Sequence, residues 1–105
     1  MTSKAAVIGS IAIDRVILDD VSVYKHGGVV TYAGLTYAGL EIATSAVTNV
    51  ASADREILSL LRERGIKVFA GDSPMTTRFV NYINGDDRRQ DLLACSTPIV
   101  ATQFE

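Results

Sequence analysis

Tryptophan is absent from this chain of 105 residues, and cysteine and histidine occur once each, as Cys95 and His26. A single cysteine closes no internal disulfide, and one cysteine with one histidine cannot assemble a zinc site from the usual ligands. The expectation is therefore a chain of the reducing cytoplasm with no metal site of its own. Excess positive charge is missing too: ten Lys and Arg stand against twelve Asp and Glu, for a net charge of -2. Without a basic block to neutralise a run of phosphates, nucleic acid is not an expected partner. No apolar run approaches the roughly 20 residues that span a bilayer, and the start Met-Thr-Ser-Lys leads into a stretch that ends on an aspartate, unlike a signal peptide. No membrane partner is expected. What is present is a composition 48% hydrophobic and 21% charged, enough apolar side chains for a core in one domain of about 100 residues.

The order of patterns predicts an α/β fold with a parallel sheet and an antiparallel appendage. Ala5 to Ile13 is a continuous apolar or small run that ends at Asp14, which reads as a first strand buried on both faces. Arg15 to Tyr24 alternates loosely around Asp19-Asp20 and reads as a short hairpin. Gly27-Gly28 breaks the pattern ahead of a helix over Val29 to Leu40, whose small residues allow close packing. Ile42 to Val50 reads as the next strand. Ser52 is placed to cap a helix with Asp54 and Glu56 in its first turn, Ile57, Leu58 and Leu61 on its buried stripe and Gly65 as its left-handed stop. Ile66 to Ala70 returns as a strand. Thr76 to Ile83 and Arg88 to Cys95 form a second hairpin about Asn84-Gly85. Ser96 to Glu105 is aperiodic and reads as a connection.

Few residues in these patterns invite chemistry. Asp14, at the carboxyl end of a strand, suits either a turn or the acceptance of hydrogen bonds from sugar hydroxyls. Gly27-Gly28 before a helix suits a plain turn or a close approach of backbone N–H groups to a ligand. His26 reads as a solvated turn residue, Arg78, Arg88 and Arg89 as guards of strand edges, Tyr32 and Tyr37 as core, and Cys95 as a buried apolar residue. Neither a G-x-G-x-x-G nor a G-x-x-x-x-G-K phosphate loop occurs.

Taken in order, these residues resemble the N-terminal part of the PfkB carbohydrate kinase family, which includes ribokinase, adenosine kinase and fructokinases. The resemblance is carried by Gly9-Ser10-Ile11-Ala12-Ile13-Asp14, by Gly27-Gly28 with the helix to Leu40, and by Val47-Thr48-Asn49-Val50-Ala51. Further along, Gly65-Ile66-Lys67-Val68 and Thr76-Thr77-Arg78-Phe79 with the Asn84-Gly85 hairpin continue it. It implies a partial ribokinase-like three-layer fold, with a mostly parallel sheet and a short antiparallel flap, as one substrate-binding portion over residues 1–105. It also implies that Asp14, Gly27 and Gly28 contact a small sugar, sugar alcohol or nucleoside. Tyr32 stands where the family often has an asparagine after the glycine pair. The family's Gly-x-Gly-Asp motif, which supplies anion hole and catalytic base, does not occur in these residues.

The resemblance thus implies the acceptor-binding part of a kinase, with no catalytic residue and no cofactor in this chain, ATP and Mg being expected of a full-length member. The alternative is a non-catalytic α/β module that self-associates. On either reading an exposed sheet edge predicts a homo-oligomer.

Overall fold

The computed structural model describes residues 3–104. Seven strands and two α-helices follow in the order β1 (Lys4–Ile8), β2 (Ala12–Leu18), β3 (Val21–Gly27), α1 (Val29–Gly39), β4 (Ala43–Val50), α2 (Ser59–Glu63), β5 (Lys67–Asp72), β6 (Thr77–Asn84) and β7 (Asp87–Ala94). A 3-10 segment, Ser52–Leu58, leads into α2, and another, Ala101–Phe104, follows β7. The strands divide between two sheets. One is wholly parallel, in the order β1-β4-β5, and the other runs β3-β2-β6-β7. In the second sheet β2 lies parallel to β6, while β2-β3 and β6-β7 are antiparallel hairpins.

The apolar run Ala5 to Ile13 is therefore two strands in two sheets, where the sequence predicts one strand closing at Asp14. Backbone accounts for the break. Val30 N–H donates to the Ser10 carbonyl at 3.1 Å, and the Gly28 backbone lies against Ser10, Ile11 and Ala12. Gly28 holds φ at 86°, in the left-handed region open to glycine at no steric cost. A side chain there would also strike the Ser10 carbonyl. The chain turns out of the parallel sheet at Gly9 and Ser10, and Asp14 lies inside β2. Nor is β1 buried on both faces, since only Val7 of its five residues is fully buried.

Both helices lie on one face of the parallel sheet. Val7, Ala46 and Val50 from the strands meet Val30 of α1, with Leu58, Leu61 and Ile66 around them. Full burial of each such aliphatic side chain stabilises the fold by about 1.5–3 kcal/mol, so this cluster is the principal source of cohesion. The helix expected after Ser52 is mostly a 3-10 segment, capped by neither the Ser52 hydroxyl nor any other side chain. Leu58 and Leu61 are nevertheless buried at 0% and 1% exposure, and Gly65 ends the unit with φ at 80°. Tertiary burial, not capping, holds a segment too short to be stable as an isolated helix.

Two further expectations are corrected. Tyr32 and Tyr37 are exposed on α1, because the small residues Ala33, Gly34 and Ala38 take the inner side against the core. Cys95 is exposed, lying just past the end of β7. The segment after it is anchored: Asn49 Nδ2 donates to the carbonyls of Thr97 and Pro98 at 2.9 and 3.1 Å, and Gln103 Nε2 donates to Asn49 Oδ1 at 2.8 Å.

Candidate functional site

Register decides what surrounds Asp14. In the second sheet Asp14 lies opposite Lys25 on β3 and Phe79 on β6, and Phe79 lies opposite Leu92 on β7. Side chains in register share a face, so these four form one row across the sheet. The neighbouring row toward the helix is Gly27, Ala12 and Thr77, and the row beyond is Val23, Val16, Asn81 and Gln90. The Gln90 side chain donates to Asn81 Oδ1 at 2.8 Å, as the shared face requires. His26 lies opposite Ile13 on the other face, with Arg15 and Tyr24, which removes it from this site.

Asp14 is 8% exposed, and its Oδ1 has no hydrogen-bond partner within the chain. The other carboxylate oxygen lies against the α-carbon of Gly27, so that a methyl group there would overlap it. This is the close approach that glycine alone permits. Burial pushes the Asp14 carboxyl above its ordinary value, and the positive charge of Lys25 partly offsets that rise. The two side chains do not close an ion pair. Lys25 therefore acts through space and does not satisfy Oδ1. A buried carboxylate oxygen with no partner is costly in a folded chain, and a ligand hydroxyl would satisfy it.

Gly27 ends β3, and Gly28 caps α1 with no side-chain hydrogen bond. The Gly28 carbonyl is used internally, accepting from Tyr32 N–H at 3.2 Å. Asp14, Gly27 and Gly28 are thus brought together at the start of α1, although the 12 residues of hairpin from Arg15 to His26 separate Asp14 from Gly27 in the chain. Beside them Gly9, Ser10, Thr77, Phe79, Leu92 and Ser96 line an open cleft of about 320 Å³ between the two sheets. Thr77 Oγ1 and Ser96 Oγ stand 3.1 Å apart in its wall.

The sequence reading gives no site role to Lys25, Ser10 or Phe79, although Ser10 and Phe79 fall in segments that carry the family resemblance. A hairpin turning at Asp19-Asp20 carries the signal for Lys25, since counting back from that turn sets it opposite Asp14. No local pattern places Ser10 and Phe79 near the site; the split between β1 and β2 and the parallel pairing of β2 with β6 bring them there. Arg78 joins the hairpin to the 3-10 segment, donating to both carboxylate oxygens of Asp54 at 3.3 Å. Arg89 lies over the Tyr82 ring at 4.3 Å on the face away from Asp14.

The arrangement suits binding and orientation of a hydroxylated molecule. Among the described residues no three His, Cys, Asp or Glu side chains converge to hold a metal ion. No helix among them is long and apolar enough to cross a membrane.

No protein-family model matches the chain. No curated protein matches it either. Solved structures do. A pyrophosphate-dependent kinase in the ribokinase family, solved with sulfate, superposes with a TM-score of 0.89 at 25% identity, over 95% of this chain and 36% of that one. A pyrophosphate-dependent kinase of the same family, solved with a pyrophosphate analogue and myo-inositol, gives 0.85 at 25% identity, over 95% of this chain and 35% of that one. Ribokinase from Giardia lamblia shares the fold at 19% identity with a TM-score of 0.69, over 89% of this chain and 33% of that one. The chain spans about a third of the length of these kinases, between 33% and 36%. Its resemblance to the ribokinase-like PfkB carbohydrate kinases is thereby shown, and its fold is a portion of theirs.

Proposed function

We propose that this chain is the acceptor-binding portion of a ribokinase-like kinase for a small sugar, sugar alcohol or nucleoside. The observation that carries the reading is the buried Asp14 carboxyl, with Oδ1 unpartnered, facing Gly27 at the start of α1. Asp14 accepts hydrogen bonds from acceptor hydroxyls, while the Gly27-Gly28 backbone allows the ligand to approach closely. Asp14 binds and orients, and it removes no proton from the reacting hydroxyl. Phosphoryl transfer needs a base within about 3 Å of that hydroxyl and donors around the transferred group. These belong to residues outside this chain, and the chain alone is inactive.

The phosphoryl donor of the whole protein is proposed to be ATP with Mg, as the family resemblance implies. Pyrophosphate is the second donor to test, because two of the similar solved structures are of pyrophosphate-dependent kinases. The protein is proposed to act in the cytoplasm, without nucleic acid or membrane partners, and as a homo-oligomer through an exposed sheet edge.

Titration calorimetry of the chain with myo-inositol, ribose and adenosine tests the acceptor reading. Binding of one of them, lost on Asp14→Asn with an unchanged circular dichroism spectrum, is the expected result. Equal binding by the variant would remove Asp14 from any acceptor site.

A further inference from the structure

One wall of the cleft beside Asp14 is formed by residues 95–99, a strap that pairs with neither sheet. Backbone outside helix and strand needs other partners, and three buried side chains supply them. Thr77 Oγ1 accepts from Ser96 N–H at 3.1 Å, and Ser73 Oγ accepts from Thr97 N–H at 3.0 Å. Asn49 Nδ2 donates to the carbonyls of both Thr97 and Pro98, which engages both hydrogens of its amide. Its Oδ1 accepts from Gln103 Nε2, so the whole carboxamide is committed to residues 97–103. Asn49 is 3% exposed and lies on β4, two residues past Val47 on the sheet face away from the helices. Opposite it on β5 is Gly71, where a methyl group would overlap Asn49 Oδ1 and crowd Gln103 Nε2. A glycine in a strand allows such a close approach. Burying a carboxamide is costly unless its hydrogen bonds are made, and here every one of them is made to the strap and its continuation.

We propose that Asn49 is a positioning residue for the acceptor: it lines no part of the cleft, and it fixes the strap that does. The inference rests on the acceptor reading above and extends it to a residue of the other sheet. The coupling runs through a continuous set of contacts. Asn49 holds Thr97 and Pro98, and Ser96 is held at Thr77. Thr77 is one step along β6 from Phe79 on the same face, and Phe79 lies in register with Asp14. Released from Asn49, the strap moves off β6, and a hydroxylated molecule at Asp14 loses that wall to water. By linkage the effect is reciprocal, so a molecule bound in the cleft steadies the strap.

The test measures two quantities on the 105-residue chain: affinity for myo-inositol, ribose or adenosine by calorimetry, and hydrogen exchange of the Ser96 and Thr97 amides by NMR. Asn49→Ala is expected to weaken the probe that binds by about tenfold or more, the scale of a buried hydrogen-bonding group left unpaired. The two strap amides should exchange faster by a similar factor, and saturation of the parent chain with that probe should slow them. Gln103→Ala, which frees Asn49 Oδ1 without altering the buried strand, should give a smaller change in the same direction. Val68→Ala is the control for stability alone, since Val68 packs against the core on the helix side. It should leave the affinity as it was at a temperature where circular dichroism shows every variant folded.

Parent affinity in Asn49→Ala, with the strap amides exchanging faster, would overturn the inference and leave the acceptor reading standing. Unchanged exchange of those amides would overturn it as well, because Asn49 would then not hold the strap. Equal weakening by Val68→Ala would assign the loss to stability and overturn the positioning role. If Asn49→Ala does not fold, Gln103→Ala decides: parent values for both quantities overturn the inference. No binding of any probe by the parent chain would remove the acceptor reading and this inference with it.

Discussion

Asp14 is buried in a corner that offers one of its oxygens no partner. Its pKa is raised in the folded chain by desolvation, so the protonated form is favoured on folding. Its contribution to stability is therefore greatest below the unfolded-state pKa, about 3.9 for aspartate, and is lost as pH rises through the higher folded value. Asp14→Asn removes that dependence. Urea unfolding at a series of pH values should show the variant gaining on the parent chain from about pH 4 upward, with a plateau above the folded pKa. A gap that is constant with pH would contradict the raised value. Gly28 is demanding in a different way, because its φ of 86° and its contact with the Ser10 carbonyl both oppose a side chain. Gly28→Ala should cost at least about 1–3 kcal/mol of unfolding free energy, measured by the same titrations. Gly39, with open space around its α-carbon, serves as the control, and Gly39→Ala should not destabilise.

Among the elements, the 3-10 segment and α2 show most clearly how packing outweighs local preference. Ser59–Glu63 spans five residues and carries no side-chain cap, which in isolation would not stay helical. Leu58 and Leu61 hold it to the sheet. Leu61→Ala should therefore destabilise the whole fold by about 2–5 kcal/mol, the usual cost of a buried leucine truncated to alanine, measured by thermal or urea unfolding. The Arg78–Asp54 pair fastens the same segment to β6, but its side chains are 40% and 20% exposed. Solvent screening limits such a pair, and Asp54→Asn should cost under about 1 kcal/mol. A larger loss in that variant would show that the pair organises the cleft rather than decorating it.

At the scale of the molecule, two sheets meet at a short backbone crossing, and the proposed acceptor site lies where they diverge. The second sheet ends in β3, whose free edge carries exposed Val21, Val23 and Tyr24. An unpaired strand bearing exposed apolar side chains is a template for another strand. Sedimentation velocity should show concentration-dependent association of the chain, reduced by Val23→Lys without loss of folded structure. The parallel sheet has a second apolar row, Ile8, Val47 and Phe69 in register on the face away from the helices, with Ile8 and Phe69 about half exposed. If association survives Val23→Lys and yields to Phe69→Ser, this face and not the β3 edge is the contact.

Local chemistry was enough to read most elements. The glycine pair before α1, the acids at the first hairpin turn, Asn84-Gly85 at the second and Gly65 after α2 all act at short range, where residue type dictates backbone conformation directly. Ser52 misled, because an N-cap preference is weaker than the burial of Leu58 and Leu61. The exposed Tyr32 and Tyr37 misled because α1, rich in small residues, buries its alanines and Gly34 instead. The sequence by itself determined the α/β class, the two hairpins and the candidacy of Asp14, Gly27 and Gly28. Tertiary structure alone decided that Ala5 to Ile13 serves two sheets, that Asp14 is buried within a strand, and that Phe79 and Ser10 stand beside it. Those facts depend on the parallel pairing of β2 with β6 and on the Gly28 backbone crossing Ser10, contacts between residues far apart in the chain that no local pattern encodes.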